Sequence, residues 1–332
     1  MNKNQENKKE DSYISVDFGN YERTSAYPFE GPTKIKGVKW KFDLGERAPY
    51  YKDGKEIIEK RKLAYKPFIY DSMIYFYSGK FYALNKYTGN IVWKIGGHPL
   101  EILAGYNGSL IMYGKPENTK GRGYMSVDAK TGKLNWYTIY KYDINNITFY
   151  YSGSAVYKNY LIFIERACQA DEIAVYKEWG YVKALDMDNG TIAWSMKFDG
   201  GFSDNQYPVI SDGKLYVYGL DKTYKNESRI LYAIDLEKRQ IIWERKIDNG
   251  FKKINFYDYD NPTNMLATES SIICISNIGE LICVDKNNGK INWIIDIKND
   301  VNFYDNPFYI ENKLYSFIWY NTFVLIDLKN GK

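Results

Sequence analysis

One short pattern returns six times along the chain, and it limits the fold more than any other feature. The copies are FYALNKYTGNIVW (81–93), YMSVDAKTGKLNW (124–136), VKALDMDNGTIAW (182–194), LYAIDLEKRQIIW (231–243), LICVDKNNGKINW (281–293) and the shorter FVLIDLKNGK (323–332). An acid or amide stands at Asn85, Asp128, Asp186, Asp235, Asp285 and Asp327. Eight residues later comes Trp93, Trp136, Trp194, Trp243 or Trp293, at spacings of 43, 58, 49 and 50 residues. A fixed internal motif inside a loose longer period describes repeated structural units joined by loops of unequal length.

Each copy reads as strand, tight turn, strand. The Asp or Asn side chain can accept hydrogen bonds from the turn amides. Gly89, Gly132, Gly190, Gly289 and Gly331 follow it by four residues, where such a hairpin needs positive φ. Arg239 takes that place in the fourth copy, so that turn is expected to be solved differently. Another hairpin precedes each copy, as in FIYDSMIYFYSGK and YPVISDGKLYVYG, which makes about four antiparallel strands per unit. The aromatic share of 17% agrees with strands. Four-stranded units repeated radially make a β-propeller.

The expected fold is therefore all-β: a six-bladed propeller of four-stranded antiparallel blades. The sixth motif begins at Asp327, so its tryptophan would fall beyond Lys332. Trp40, in GVKWKF (37–42), fills the role, and residues 38–42 are expected to give the last blade its outer strand. Residues 1–13 read as a disordered polar tail and 14–332 as a single propeller domain. Residues 43–65 and 137–180 hold spare length, enough for a strand or hairpin but not for a seventh blade. Trp40, Trp93, Trp136, Trp194, Trp243 and Trp293 are assigned to packing between blades, because one motif position repeated in every unit is a structural position.

ALNKYTGNIVW, SVDAKTGKLNW and ALDMDNGTIAW closely match the pattern A-x-D-x-x-T-G-x-x-x-W. On these residues the chain resembles the pyrroloquinoline-quinone-repeat, or quinoprotein-like, β-propellers over about residues 14–332. Within that family it is similar to the non-catalytic bacterial propellers of the barrel-assembly lipoprotein type. The resemblance implies the fold; the repeat itself builds blades and does not bind quinone. The family's dehydrogenases use a vicinal cysteine disulfide, a calcium site and a catalytic Asp. Here Cys168, Cys274 and Cys283 include no adjacent pair, so quinone-dependent oxidation is not expected and no cofactor is assigned.

Other chemistry is equally thin. A single histidine, His98, rules out a His-rich metal site, and it reads as a loop residue. No dinucleotide fingerprint, phosphate loop or nucleophile elbow occurs. No catalytic, cofactor or metal residue is assigned. With 45 Lys and Arg against 41 Asp and Glu, the charge is too even to argue for nucleic acid. No run of eighteen apolar residues suits a membrane span. The polar start MNKNQENKKEDS has no apolar signal region, which leads to a cytoplasmic expectation, or a periplasmic or extracellular one if a signal segment was removed.

What remains is recognition. Loops between the two middle strands of a blade share one face with the links between blades, and here that face receives the long insertions, 114–123, 165–180 and 220–229 among them. The segments INFYDYDNP (254–262) and VNFYDNP (301–307) nearly repeat one another on it, and ITFYYSGS (147–154) is related. Tyr150, Tyr257 and Tyr304 offer contact area with few rotatable bonds. Asp258, Asp260 and Asp305 make the rim acidic, and Glu165, Arg166 and Trp179 extend it. These nine residues are the candidate partner-binding set. The expected function is a non-catalytic binding propeller, a protein-interaction scaffold acting through this face. The alternative is a carbohydrate- or small-molecule-binding propeller, with carboxylate-based glycoside hydrolysis or lyase chemistry open to it.

Overall fold

A computed structural model describes residues 37–45, 50–52, 55–57, 67–139, 143–144, 147–170, 176–202, 208–220, 229–247, 265–275, 280–296, 308–310, 312–318, 322–329 and 331. They form six antiparallel blade-like sheets and one separate hairpin. Two compact units contain them, the first reaching to residue 140 and the second running from 141.

The first unit holds two four-stranded sheets. Sheet 1 comprises Phe68–Tyr70, Met73–Tyr77, Phe81–Asn85 and Ile91–Ile95. Sheet 2 comprises Gly97–Tyr106, Ser109–Pro116, Gly123–Asp128 and Leu134–Ile139. Tyr75, Phe81, Leu110, Met112 and Val127 form the core between them. Among the described residues, the spare length at 43–65 supplies the hairpin Tyr50–Lys52 with Lys55–Ile57. His98 stands in a strand opposite Lys115, not in a loop.

The second unit holds four sheets. Sheet 3 has five strands, Asp143–Ile144, Ile147–Tyr157, Tyr160–Ala170, Tyr176–Asp186 and Ile192–Phe198. Sheet 4 runs from Val209–Ser211 to Gln240–Ile247, and sheet 5 from Met265–Ala267 to Ile291–Asp296, with four strands each. Sheet 6 shows three, Phe308–Ile310, Lys313–Ile318 and Thr322–Asp327. Residues 37–45 are in no assigned strand, so the expected fourth strand of sheet 6 is not seen among the described residues. Sheets 3 and 4, 4 and 5, and 5 and 6 each share a buried apolar layer.

The repeated motif acts as a coupling between consecutive sheets. Asp128 Oδ1 accepts from the amides of Lys130 and Thr131, and Asp235 and Asp285 hold their turns in the same way. A bulge in each outer strand then sets the tryptophan opposite a small residue. Trp93 faces Ala83, Trp136 faces Ser126, Trp194 faces Ala184, Trp243 faces Ala233 and Trp293 faces Cys283. The indole reaches onward to the turn of the next sheet. Trp93 Nε1 donates to the Ala129 carbonyl at 2.9 Å, Trp243 to Lys286 at 3.2 Å and Trp293 to Leu328 at 3.0 Å. Tyr75 and Tyr216 join Trp93 and Trp243 on those same carbonyls. Burial comes first among the causes that push both phenols well above the usual tyrosine range.

The fourth turn is not solved differently after all. Arg239 itself adopts φ 56° and donates its amide to the Asp235 carbonyl at 2.8 Å, as the glycines of the other turns do. Its guanidinium lies 5.9 Å from the Trp194 ring centroid. Among the described residues, Trp194 lacks the onward indole bond made by Trp93, Trp243 and Trp293. A Cβ at this position displaces the ring that a glycine would admit. Arg239→Gly is therefore expected to stabilise the chain by about 1 kcal/mol: relief of left-handed strain and a regained hydrogen bond outweigh a weak cation–π contact and glycine's chain entropy. Thermal unfolding of the two proteins checks the sign.

Candidate interaction site

Sheet 3 is built on longer strands than its neighbours. Its second, third and fourth strands each span eleven residues. The segment 165–180 is therefore mostly ladder, not a loop: pairing runs without a break from Tyr160↔Asp186 to Ala170↔Tyr176. The polar sequence ERACQADEIAVYKEWG hides these strands, because it lacks the period-2 apolar pattern of a half-buried ladder. What holds it is continuation of a hairpin already in register.

This arm brings four of the nine candidate residues together. Tyr150 stands opposite Arg166, which stands opposite Gly180; Trp179 stands opposite Ala167 on the next rung. Glu165, opposite Tyr151 and Tyr181, is only 1% exposed. Its carboxylate lies 2.5 Å from Lys183 Nζ, so it is a neutralised interior group and not an open rim acid. Lys183 Nζ is also 5.0 Å from the Tyr181 ring centroid. Trp179 is half-buried, donates its Nε1 to the Tyr181 hydroxyl at 3.1 Å, and carries Lys197 Nζ at 5.1 Å from its ring centroid. Tyr257, Asp258, Asp260, Tyr304 and Asp305 lie outside the described residues.

The blade-packing set divides in a similar way. Trp40 packs on sheet 1 as Trp93 packs on sheet 2. Its Nε1 donates to the Lys86 carbonyl at 3.0 Å, its ring rests against Gly89, and Phe42 beside it meets Phe76 and Tyr82. Sequence reasoning did not separate out Lys86, Ala129, Lys286 and Leu328, the residues just after the turn acid whose carbonyls receive the indoles. Their fixed place next to the acid is the signal that could have found them.

Cys274 pairs with Ile282 and Cys283 with Ile273, so the two thiols face opposite sides of sheet 5. Burial pushes the Cys274 thiol up to about 12, which leaves it an inert thiol at neutral pH. Among the described residues no group of three or more His, Cys, Asp or Glu side chains could hold a metal ion. No helix there is long and apolar enough to cross a membrane.

Antiparallel blade-like sheets coupled through an Asp turn and a tryptophan define a propeller-type fold of the quinone-repeat class. The family model described as "Outer membrane protein assembly factor BamB" matches residues 38–295, and the chain belongs to that family. No curated protein matches it. The quinohemoprotein alcohol dehydrogenase from Comamonas testosteroni is similar at 16% identity with a TM-score of 0.56, covering 87% of this chain and 49% of its own. A europium-containing methanol dehydrogenase is similar at 15% identity with a TM-score of 0.58, covering 90% of this chain and 61% of its own. BamB from Moraxella catarrhalis is similar at 16% identity with a TM-score of 0.39, covering 76% of this chain and 81% of its own.

The chain thus spans 49% and 61% of the length of those dehydrogenases, and the likeness to them is one of fold. The chain has no adjacent cysteine pair, and no ligand cluster occurs among the described residues. The cytoplasmic expectation is corrected. The family model covering residues 38–295 is described as that of an outer membrane protein assembly factor. A polar start carries no information about where the folded part works.

Proposed function

We propose that this chain is a non-catalytic protein-interaction scaffold that binds its partner through the face bearing the sheet 3 arm. The observation that carries the reading is that arm, where ladder pairing sets Tyr150, Arg166 and Trp179 on adjacent rungs. Membership in an assembly-factor family supports it. Tyr257 and Tyr304, with Asp258, Asp260 and Asp305, extend the same surface in this proposal. The test is capture of a partner by the full chain and by the Trp179→Ala, Tyr257→Ala, Tyr304→Ala triple variant. Loss of capture with unchanged thermal unfolding is the expected result; full capture by the variant removes this site.

The scaffold is proposed to be one six-bladed domain over 14–332, with residues 38–42 as the outer strand of sheet 6. Two features support this. Trp40 takes the position on sheet 1 that belongs elsewhere to the tryptophan of the preceding blade. Sheet 6 has three strands where sheets 1, 2, 4 and 5 have four, and Leu325 on its last strand is 50% exposed. Trp40 is half-buried, so Trp40→Ala is expected to cost about 2 kcal/mol in urea unfolding, less than a fully buried indole would. Deletion of 1–12 is expected to be neutral. A Trp40→Ala cost below about 0.5 kcal/mol would speak against closure by this segment.

A further inference from the structure

The sheet 3 arm ends in an open edge, and a role for that edge in attaching a partner rests on the scaffold reading. On one side, Tyr176–Asp186 is paired along its whole length. On the other, the outer strand pairs only from Leu185↔Ile192 to Gly180↔Phe198. Among the described residues, Tyr176–Trp179 therefore have no ladder partner on the outer side.

Core packing explains why the outer strand stops there. After Phe198 the chain bends at Asp199–Gly200, and Phe202 bridges to Gly219 of sheet 4. Phe202 is fully buried, edge-on to Phe198 at 5.1 Å between centroids. It lies so close over Gly180 that a Cβ there would fall 2.3 Å from the ring. Extending the outer strand past Phe198 would pull Phe202 from this position, at a cost of about 3–5 kcal/mol for an aromatic side chain. Among the described residues, the packing of sheets 3 and 4 leaves the edge open.

Four residues of open strand span about 13 Å and leave alternate N–H and C=O groups directed outward. Recognition groups stand at the mouth of this track. Trp179 lies on the edge itself. Lys197, exposed and next to last in the outer strand, holds its ammonium over the indole and pairs with no carboxylate among the described residues. Lys183, two rungs further in, is already neutralised by Glu165. Among the described residues the uncompensated charge is positive, and it sits where an added strand would continue the line of the outer one.

We propose that Tyr176–Trp179 accept an extended segment of a partner protein by strand addition, with an apolar side chain meeting Trp179 and a carboxylate meeting Lys197. The experiment uses the full chain and three capped synthetic octapeptides: alternating valine and glutamate, alternating valine and lysine, and the glutamate peptide with N-methylated amides. Amide hydrogen exchange and titration are read together. The glutamate peptide is expected to slow exchange at Tyr176–Trp179 and to bind at least tenfold tighter than the lysine peptide. N-methylation is expected to abolish binding, and Lys197→Glu to reverse the charge preference. Equal binding of both charges, binding that survives N-methylation, or unchanged exchange at Tyr176–Trp179 would overturn the proposal. Unchanged exchange together with lost capture in the triple alanine variant would remove the strand-addition edge alone and leave the scaffold reading standing.

Discussion

Gly132→Ala is expected to destabilise the chain by about 3 kcal/mol, and by only about 1–2 kcal/mol once Trp93 has been replaced by alanine. Two costs meet at this glycine. Its φ of +72° lies in the left-handed region, which a Cβ makes unfavourable by about 1–2 kcal/mol. The Cβ would also fall 2.7 Å from the Trp93 ring, forcing the indole off the turn and off the Ala129 carbonyl. Trp93→Ala alone is expected to cost about 3–5 kcal/mol, because the ring is 9% exposed and lies in the shared core of sheets 1 and 2. In the double variant the steric cost has no ring to act on, so only the backbone cost remains. Urea unfolding of the wild type, both single variants and the double variant gives the coupling directly. An equal Gly132→Ala cost in both backgrounds would mean that the tryptophan does not dock on the turn.

That coupling was largely legible in the sequence, since Asp128, Gly132 and Trp136 recur at fixed offsets and a fixed offset needs one geometry. The small residue facing each tryptophan, Ala83, Ser126, Ala184, Ala233 or Cys283, was equally regular and marks the bulge. The arm was not legible. Strand propensity and alternation report burial on one face, and residues 165–170 and 176–180 are held by hairpin continuation in a polar stretch of sequence. Their backbone pairing leaves no period in the sequence. The same limit explains Glu165: an acid in a polar run reads as a surface group, and only the ladder shows that Lys183 lies beside it. Arg239 misled for a further reason. It holds a glycine-like conformation against its own propensity, and its contact with Trp194 offsets that strain only in part.

Lys286→Ala is expected to cost about 2–3 kcal/mol at neutral pH, although a lysine just after a turn acid reads as a solvated residue. Its ammonium is buried between sheets 4 and 5. It donates to Ser211 Oγ at 3.1 Å and to the Thr268 carbonyl at 3.0 Å, and it pairs with Asp212 at 2.7 Å. Its own carbonyl receives Trp243 and Tyr216. A cation out of water is tolerated only with its ligands complete, and here three are supplied by two sheets. Lys286→Met keeps the stem and removes the charge, so it is expected to cost about 1–2 kcal/mol, the share of the lost hydrogen bonds. The pH dependence separates the ion pair from the rest. The hydrogen bond from Lys286, aided by the charges of Lys286 and Lys214, holds the Asp212 carboxyl below the usual range against a smaller opposing effect of burial. A depressed folded-state value gives stabilisation that is complete above the ordinary carboxylate pKa and is lost as pH falls through the folded one. Both variants lack this contribution, so the gap to wild type is expected to narrow on acidification. It will not close, because Asp212 is 68% exposed and its share is small, while the bonds to Ser211 and Thr268 do not titrate. Denaturant unfolding at pH 7 and pH 3 measures the gap. A gap that widens in acid, or a methionine variant as stable as wild type, would show that this lysine does not tie the two sheets together.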